Sequence, residues 1–409
     1  MTWLPAMAWR NLWRNTRRTI LTILAITFAL GLTVFTRGLQ FGTYAQTIDY
    51  NVRLGIGHLQ LQHADYWDEQ TLGNTCVVTS EKLGRLEALP GVTAVSPKLA
   101  TEALVAIGED ASSGARLEGV VPSREALLSK VPQDMVDGAW LTDEDSHGAV
   151  LGAVLARNLG AAVGDTLVYF TQGRHGATAA GLYTVRGVFA TGDQGLDAFV
   201  VYLPLNVLQD QLWADDRLTS VNVRLVDAHH VDEAAAAVRE QLVEGPLAVL
   251  TYRELIPDIM SSIAFDKASG AVFLILLLII AGFGILETIL MSVMERFHEF
   301  GVMGAVGMHR RSIAGLILLE AGFVGLVGAV AGNVVGLAAN LWLRRYPITL
   351  ESLGEMYQEY GFAPELAALV DLGDQALWSA VVLAMTLTVA VWPAVVAARF
   401  RPVDAIRMG

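Results

Sequence analysis

Four stretches of this chain are long and apolar enough that only a bilayer-spanning helix accommodates them. They run over about 19–41, 270–294, 313–343 and 376–398. Roughly 20 apolar residues in a helix cross the ~30 Å hydrocarbon layer, and in lipid the backbone must satisfy its own hydrogen bonds. Between the first two stretches lie more than 200 residues of ordinary soluble character. The pattern predicts a membrane protein with four transmembrane α-helices and a large extracytoplasmic α+β domain inserted between helices 1 and 2. The expected boundaries are a segment plus first helix over 1–43, an outer domain over 44–269 and a second helix over 270–294. A short loop over 295–311 follows, then helix three over 312–343, a loop over 344–375, helix four over 376–398 and a tail over 399–409. The first stretch follows a basic segment, as a secretory signal does. No small-x-small cleavage site follows it and Arg37 is succeeded by further apolar residues, so it reads as a permanent anchor.

Charge is unevenly spread along the chain. Residues 1–36 hold Arg10, Arg14, Arg17 and Arg18 with no acid, whereas residues 37–270 hold 30 acids against 16 bases. An acidic outer domain disfavours nucleic acid as a partner, because phosphate binding needs a basic face. The single cysteine, Cys76, allows no internal disulfide.

Lys and Arg near helix ends set orientation. One side collects the four N-terminal arginines, then Arg296, Arg310 and Arg311, then Arg399, Arg401 and Arg407. The opposite short loop sets Arg344 and Arg345 beside Glu351, Glu355, Glu359, Glu365, Asp371 and Asp374. Both termini and the 295–311 loop are therefore expected in the cytoplasm, with 44–269 outside. This describes a multi-pass protein of the inner (cytoplasmic) membrane. Before the first span, Trp3, Trp9, Leu12 and Trp13 interleave with Arg10, Arg14 and Arg17. That pattern fits an amphipathic helix meeting membrane lipid at headgroup level, and equally fits plain topogenic charge.

Within the outer block, strand-like runs fall at 58–63, 165–171, 198–203, 220–226 and 247–252, with helical patterns at 150–159 and 231–243. Leu89-Pro90-Gly91 and Thr191-Gly192-Asp193 mark turns. Mixed elements over this length predict an α+β domain of two lobes. A last helix over about 252–264 is expected to lead into the second span. No catalytic, cofactor or metal set stands out. His58 and His63 read as surface residues, and His229 and His230 as adjacent side chains that diverge. Asp143, Glu144 and Asp145 read as a solvated turn, and neither G-x-S-x-G nor H-E-x-x-H occurs.

The loop after the second span, MSVMERFHEFGVMGAVGMHRR over 291–311, is longer than a helical hairpin needs. Glu295, Arg296 and Glu299 stand at helical pair spacing, while Phe300, Gly301, Met303 and Gly307 form a small, adaptable apolar set. It reads as a docking helix lying along the cytoplasmic face. Two carboxylates fall inside apolar stretches, Glu287 in the second and Glu320 in the third. Each must face protein or water, because a lipid-facing carboxylate costs about 2.5–3.5 kcal/mol on insertion scales. Glu287 could pair with a neighbouring subunit's arginine, be protonated or line a cavity, and an internal structural polar contact is favoured over a transport role.

These motifs, in this order, resemble the FtsX-like permeases of ABC transporters, of the MacB and LolC/LolE type. Glu295-Arg296 through Gly307 is similar to the family's E-R-x-x-E-[IF]-G-[IV]-x-x-A-x-G segment. Arg10-Asn11-Leu12 through Arg17-Arg18-Thr19 is similar to its R-N-x-x-R-x-x-R-R segment. Gly57-His58-Leu59-Gln60, Leu89-Pro90-Gly91-Val92, residues 152–159 with Gly164-Asp165, and residues 185–192 resemble its outer domain. Residues 393–398 with Arg401-Pro402-Val403-Asp404-Ala405-Ile406-Arg407 resemble its tail. Glu320 matches an acid common in the family, while Glu287 departs from its usual asparagine. The resemblance implies a permease subunit, not an enzyme, working as a homo- or heterodimer with a separate cytoplasmic ABC ATPase that binds ATP and Mg and docks on 295–307. Lys82, Lys98, Lys130 and Lys267 are the only lysines, and none sits in a P-loop context. The implied work is extraction or export of a lipoprotein or other lipid-linked or periplasmic substrate. The alternative is a signalling scaffold that activates an extracytoplasmic partner such as a cell-wall hydrolase.

Overall fold

The computed structural model describes residues 3–108, 111–349 and 365–399. Glu351, Glu355, Glu359, Arg401 and Arg407, and so most of the expected tail, lie outside them. The chain divides into two compact units, a helical one (described over 3–45, 263–349 and 365–399) and a second over 46–262.

The helical unit is built on α1 (Leu4–Leu12), α2 (Thr16–Asn51), α3 (Pro257–Glu295), α4 (Phe297–Ala305), α5 (Arg310–Arg345) and α6 (Leu372–Ala398). Among the described residues, four helices are long and apolar enough to cross a membrane: the α1–α2 stretch, α3, α5 and α6. Each is longer than its apolar stretch. The 39 residues of α3 extend about 58 Å at 1.5 Å per residue, nearly twice the hydrocarbon thickness. Its extra turns are the polar 257–269, so the helix expected to begin at 270 starts at Pro257. The helix expected over 252–264 is broken at Ile256 (φ −124°, ψ 59°), after a short turn over Tyr252–Leu255.

Close packing of α2 on α5 rests on small residues. A Cβ at Gly328, Gly332 or Gly336 would meet a Cβ of Ile26, Leu30 or Val34 at 2.7, 2.9 and 2.7 Å. This small-xxx-small stripe lets the two backbones approach where lipid supplies no hydrophobic drive between helices. The gap is closed by Asn340, whose Nδ2 donates to the Val34 carbonyl at 2.9 Å. Between α5 and α6 a second polar ladder forms. Asn333 Nδ2 donates to Ser379 Oγ and Gln375 Nε2 donates to Asn333 Oδ1, both at 2.8 Å.

The second unit carries one ten-stranded sheet: β1 (Leu59–His63), β2 (Val92–Ile107), β3 (Ala111–Val120), β4 (Met135–Gly138), β5 (Gly148–Gly152), β6 (Thr166–Gln172), β7 (Thr178–Phe189), β8 (Val200–Pro204), β9 (Ser220–Leu225) and β10 (Leu247–Thr251). The order β10-β1-β9-β2-β3-β8-β5-β7-β4 folds back because β6 pairs both β7 and β2. Strands β2, β3, β8, β5, β7 and β6 thus close a ring of six. The 16-residue β2 serves both lobes. Its first half (92–98) pairs β9 in the open part, and 104–107 pair β6 in the ring.

Several expectations are corrected here. The helix expected over 150–159 is strand β5 through Gly152 and then helix Ala153–Leu159, because a fully buried apolar run reads alike in either state. His58 is buried rather than exposed, and His63 is only partly exposed. The His58 Nδ1 accepts the Leu225 amide at 3.1 Å, and burial pushes its pKa down, keeping the imidazole neutral. The 143–145 turn, by contrast, is largely exposed as expected, with Asp143 and Asp145 accepting the backbone amides of Ser123 and Thr142 at 2.9 and 2.8 Å.

Candidate functional site

Helix α3 ends at Glu295, and Arg296 leaves helical geometry (φ −100°, ψ 15°) before α4 begins at Phe297. Such a break frees terminal carbonyls and amides and lets the next helix set off in a new direction. After α4 the chain turns at Gly307 (φ +100°) into α5. A Cβ there would meet nothing within 4 Å, so glycine is required by backbone conformation rather than by a close neighbour.

Three carboxylates and three guanidiniums assemble around this break. Arg296 Nη1 donates to both oxygens of Glu320 at 3.0 Å, and Arg296 Nε to Glu299 Oε2 at 3.2 Å. From the N-terminal segment, Asn11 Nδ2 donates to Glu320 Oε1 at 2.7 Å, Arg14 pairs Glu299, and Arg18 pairs Glu295 through both terminal nitrogens, Nη1 at 2.7 Å. Asn15 adds a weak contact to Glu295 at 3.4 Å. Residues 11, 14–15 and 18 share one face because they recur at helical spacing, and 295 and 299 match them on the other side. The Arg296–Glu320 pair is mostly enclosed (12% and 14% exposed), while Arg14–Glu299 is half open (54% and 40%). Burial works against the Glu299 carboxylate, yet the hydrogen bonds from Arg14 and Arg296 hold its pKa below the usual carboxylate range.

Beneath this lattice lies an apolar core of Leu4, Ala8, Val293, Phe300, Ile313 and Leu316, joined by neighbours on α5 and α6. Leu4, Ala8 and Leu12 line the buried face of α1, while Trp9 on the helix and Trp3 and Trp13 at its ends stay exposed. Trp9 packs edge-on against Phe323, and Arg10 and Arg17 are exposed. Arg14 and Arg18 differ from those two, being held by Glu299 and Glu295.

The structure thus brings together Glu295, Arg296, Glu299 and Glu320 with Arg14 and Arg18. Of the expected docking residues, Phe300 (2% exposed) and Gly301 are buried within the subunit, and Met303 is partly buried against the same core. What α4 leaves open is Val302 and Val306 (43% and 83% exposed), Gly307, and Arg310 and Arg311 beyond the turn. Glu320 has the internal partners expected of it. Glu287 does not, being exposed on α3 without a hydrogen bond or ion pair among the described residues. Asn11 and Asn15 were missing from the expected site. The signal for them was the complementarity of an acid-free basic segment with an E-R-x-x-E segment.

Two family models match the chain. Residues 19–241 match the MacB-like periplasmic core domain, and residues 271–402 match the FtsX-like permease C-terminal family. The chain is 23% identical over 327 residues to the lipoprotein-releasing system transmembrane protein LolC of Xylella fastidiosa, covering 78% of each chain. It is 25% identical over 342 residues to the macrolide export ATP-binding/permease protein MacB of Hyphomonas neptunium, covering 81% of this chain but 52% of that one. The periplasmic region of MacB from Actinobacillus actinomycetemcomitans aligns with 53% of this chain and 98% of its own length, at 15% identity and a TM-score of 0.37. The chain therefore belongs to the ABC-transporter permeases of the LolC/MacB type, which join a MacB-like periplasmic core domain to an FtsX-like C-terminal region.

Proposed function

We propose that this permease is driven by a separate cytoplasmic ATPase that seats on α4 and levers the membrane helices through the ion-paired joint at Arg296. The carrying observation is the Arg296–Glu320–Glu299–Arg14 lattice, which links the α3–α4 break to α1 and α5 in one charge-assisted network. A push on α4 then reaches three other helices without an intervening flexible loop. The ATPase contact falls to Val302, Val306, Gly307, Arg310 and Arg311, the part of the segment left open. The arginine distribution supports a cytoplasmic location for this segment and an extracytoplasmic one for 46–262.

The exposed Glu287 supports a second permease subunit. A carboxylate on the outer face of an apolar helix is costly against lipid, so a polar group of a neighbouring subunit is its natural cover. The likeness to LolC over most of both chains supports a lipoprotein or other lipid-linked molecule as the substrate. ATP acts only through the ATPase's differential affinity for two permease states. The signalling-scaffold alternative uses the same lever and differs only in its output.

The test is co-purification of the ATPase followed by reconstitution in liposomes loaded with a lipid-anchored reporter. ATP-dependent release of the reporter, abolished by Val306→Glu at unchanged permease abundance, is the expected result. Robust ATP hydrolysis with no release, and with a co-purifying cell-wall hydrolase, would favour the scaffold.

A further inference from the structure

In the second unit, neighbouring stretches of strands β1, β9, β2 and β3 set apolar and polar side chains on opposite faces of the sheet, and both faces are largely covered. Leu59, Leu61, Val221, Val223, Leu99 and Leu117 point to the apolar core. The opposite face presents Gln60 and Gln62 from β1, Ser220 and Asn222 from β9, Lys98 from β2 and Glu118 from β3. Such a polar face ordinarily meets bulk solvent. Here the 51–56 segment, Tyr66–Gln70 and the helix Gln194–Phe199 help to enclose it, leaving a cavity of about 440 Å³. That lies within the size range of small-molecule sites and is far too small for a folded partner.

The charges lining this cavity are already satisfied. Lys98 Nζ lies 2.9 Å from Glu125 and 3.3 Å from Glu118, Arg116 Nε lies 3.4 Å from Glu118, and Asp193 accepts the Leu196 amide at 2.8 Å. Asn222 is committed too, its Nδ2 donating to the Gly55 carbonyl at 2.7 Å. Gln62 is the exception. Its residue is 1% exposed, it lines the cavity, and neither its Nε2 nor its Oε1 has a partner among the described residues. A buried amide offering both a donor and an acceptor is matched by a ligand offering both in return. Beside it, Trp67 (38% exposed) and Phe199 (56% exposed) supply aromatic surface.

We propose that this cavity binds a small uncharged saccharide, with Gln62 reading paired hydroxyl groups and Trp67 receiving the apolar face of the ring. An anionic ligand would find both lining cations, Lys98 and Arg116, already paired with Glu118 and Glu125. A purely apolar one would leave the Gln62 amide unsatisfied. Neutral peptides share the donor–acceptor pairing but lack a continuous apolar ring face to set against Trp67.

The full chain in nanodiscs tests this by calorimetry and tryptophan emission, with N-acetylglucosamine, chitobiose and maltose against diglycine and dialanine. At least one saccharide is expected to bind and alter Trp67 emission, a change lost in Trp67→Phe. Gln62→Met should weaken that binding tenfold or more while keeping or raising Tm, because it removes an unpartnered buried amide. Binding of none of the sugars, or of the dipeptides alone, overturns the proposal. So does a Gln62→Met variant with raised Tm and unchanged sugar affinity, which would mark the cavity as merely hydrated.

Discussion

The two units handle buried charge in opposite ways. Around Arg296 the ion pairs grade from enclosed (Arg296–Glu320) to half open (Arg14–Glu299), and every partner comes from a different helix or from a helix break. In the second unit, Lys98 and Glu125 are almost wholly enclosed (6% and 0% exposed), with Ser96 donating to Glu125 at 2.7 Å and Glu118 flanking them. Those partners sit on paired strands and the adjoining helix Pro122–Leu128, where the ladder fixes their spacing. Partly solvated pairs on separate helices can part and re-form at modest cost. Fully desolvated ones cannot. The contrast teaches that water reaches part of one cluster and is shut out of the other.

The contrast is most easily broken at Lys98. Lys98→Met leaves the Glu118 and Glu125 carboxylates without their shared cation, and should destabilise the second unit by about 3–5 kcal/mol. Differential scanning calorimetry of the purified chain would register this. An unchanged transition would mean the triad is not a fixed strut. Next in size is Glu320→Gln. The amide still accepts from Asn11 and Arg296 but loses charge assistance, for a cost of about 1–3 kcal/mol, and ATP-driven release should fall more than ATPase recruitment does. Equal loss of both would make Glu320 a mere packing residue.

Acid should act on both units. His58 has its pKa depressed by burial, so its contribution is complete above the unfolded value of about 6.5 and is lost as pH falls through the folded one. The second unit's Tm should therefore decline below about pH 6.5, and His58→Gln should flatten that decline. Glu299 has the same sign in a lower window, because its folded pKa lies below the ordinary carboxylate value. Smallest is Arg14→Gln, which opens the most solvated pair and should cost only about 0.2–1 kcal/mol. Salt should mimic that variant far more than it mimics Lys98→Met.

The helical unit was largely legible because lipid demands long apolar runs, and 19–41, 270–294, 313–343 and 376–398 all fall within helices. Helix ends were not, since 257–269 carries Asp258, Asp266 and Lys267 yet continues α3. The sheet was harder to read. Strand β2 contains Pro97, Lys98 and Glu102, and its middle is buried on both faces, which erases the two-residue alternation. Ring closure by β6 depends on pairing 104–107 with 167–170, a separation no local pattern reveals. At the candidate site the charges were evident in composition, but their partners were not. Glu295 and Glu299 looked free for an ATPase until Arg18 and Arg14 came to face them.

The most direct test of the lever is cysteine labelling at Val306. The native Cys76 thiol is buried and pushed up to about 11 by that burial, so it stays unreactive near neutral pH. A Val306→Cys variant should resist a membrane-impermeant maleimide in intact cells, react in inverted vesicles, and be protected there once the ATPase is bound. Labelling from outside intact cells, or undiminished labelling with the ATPase bound, would contradict an ATPase seated on α4.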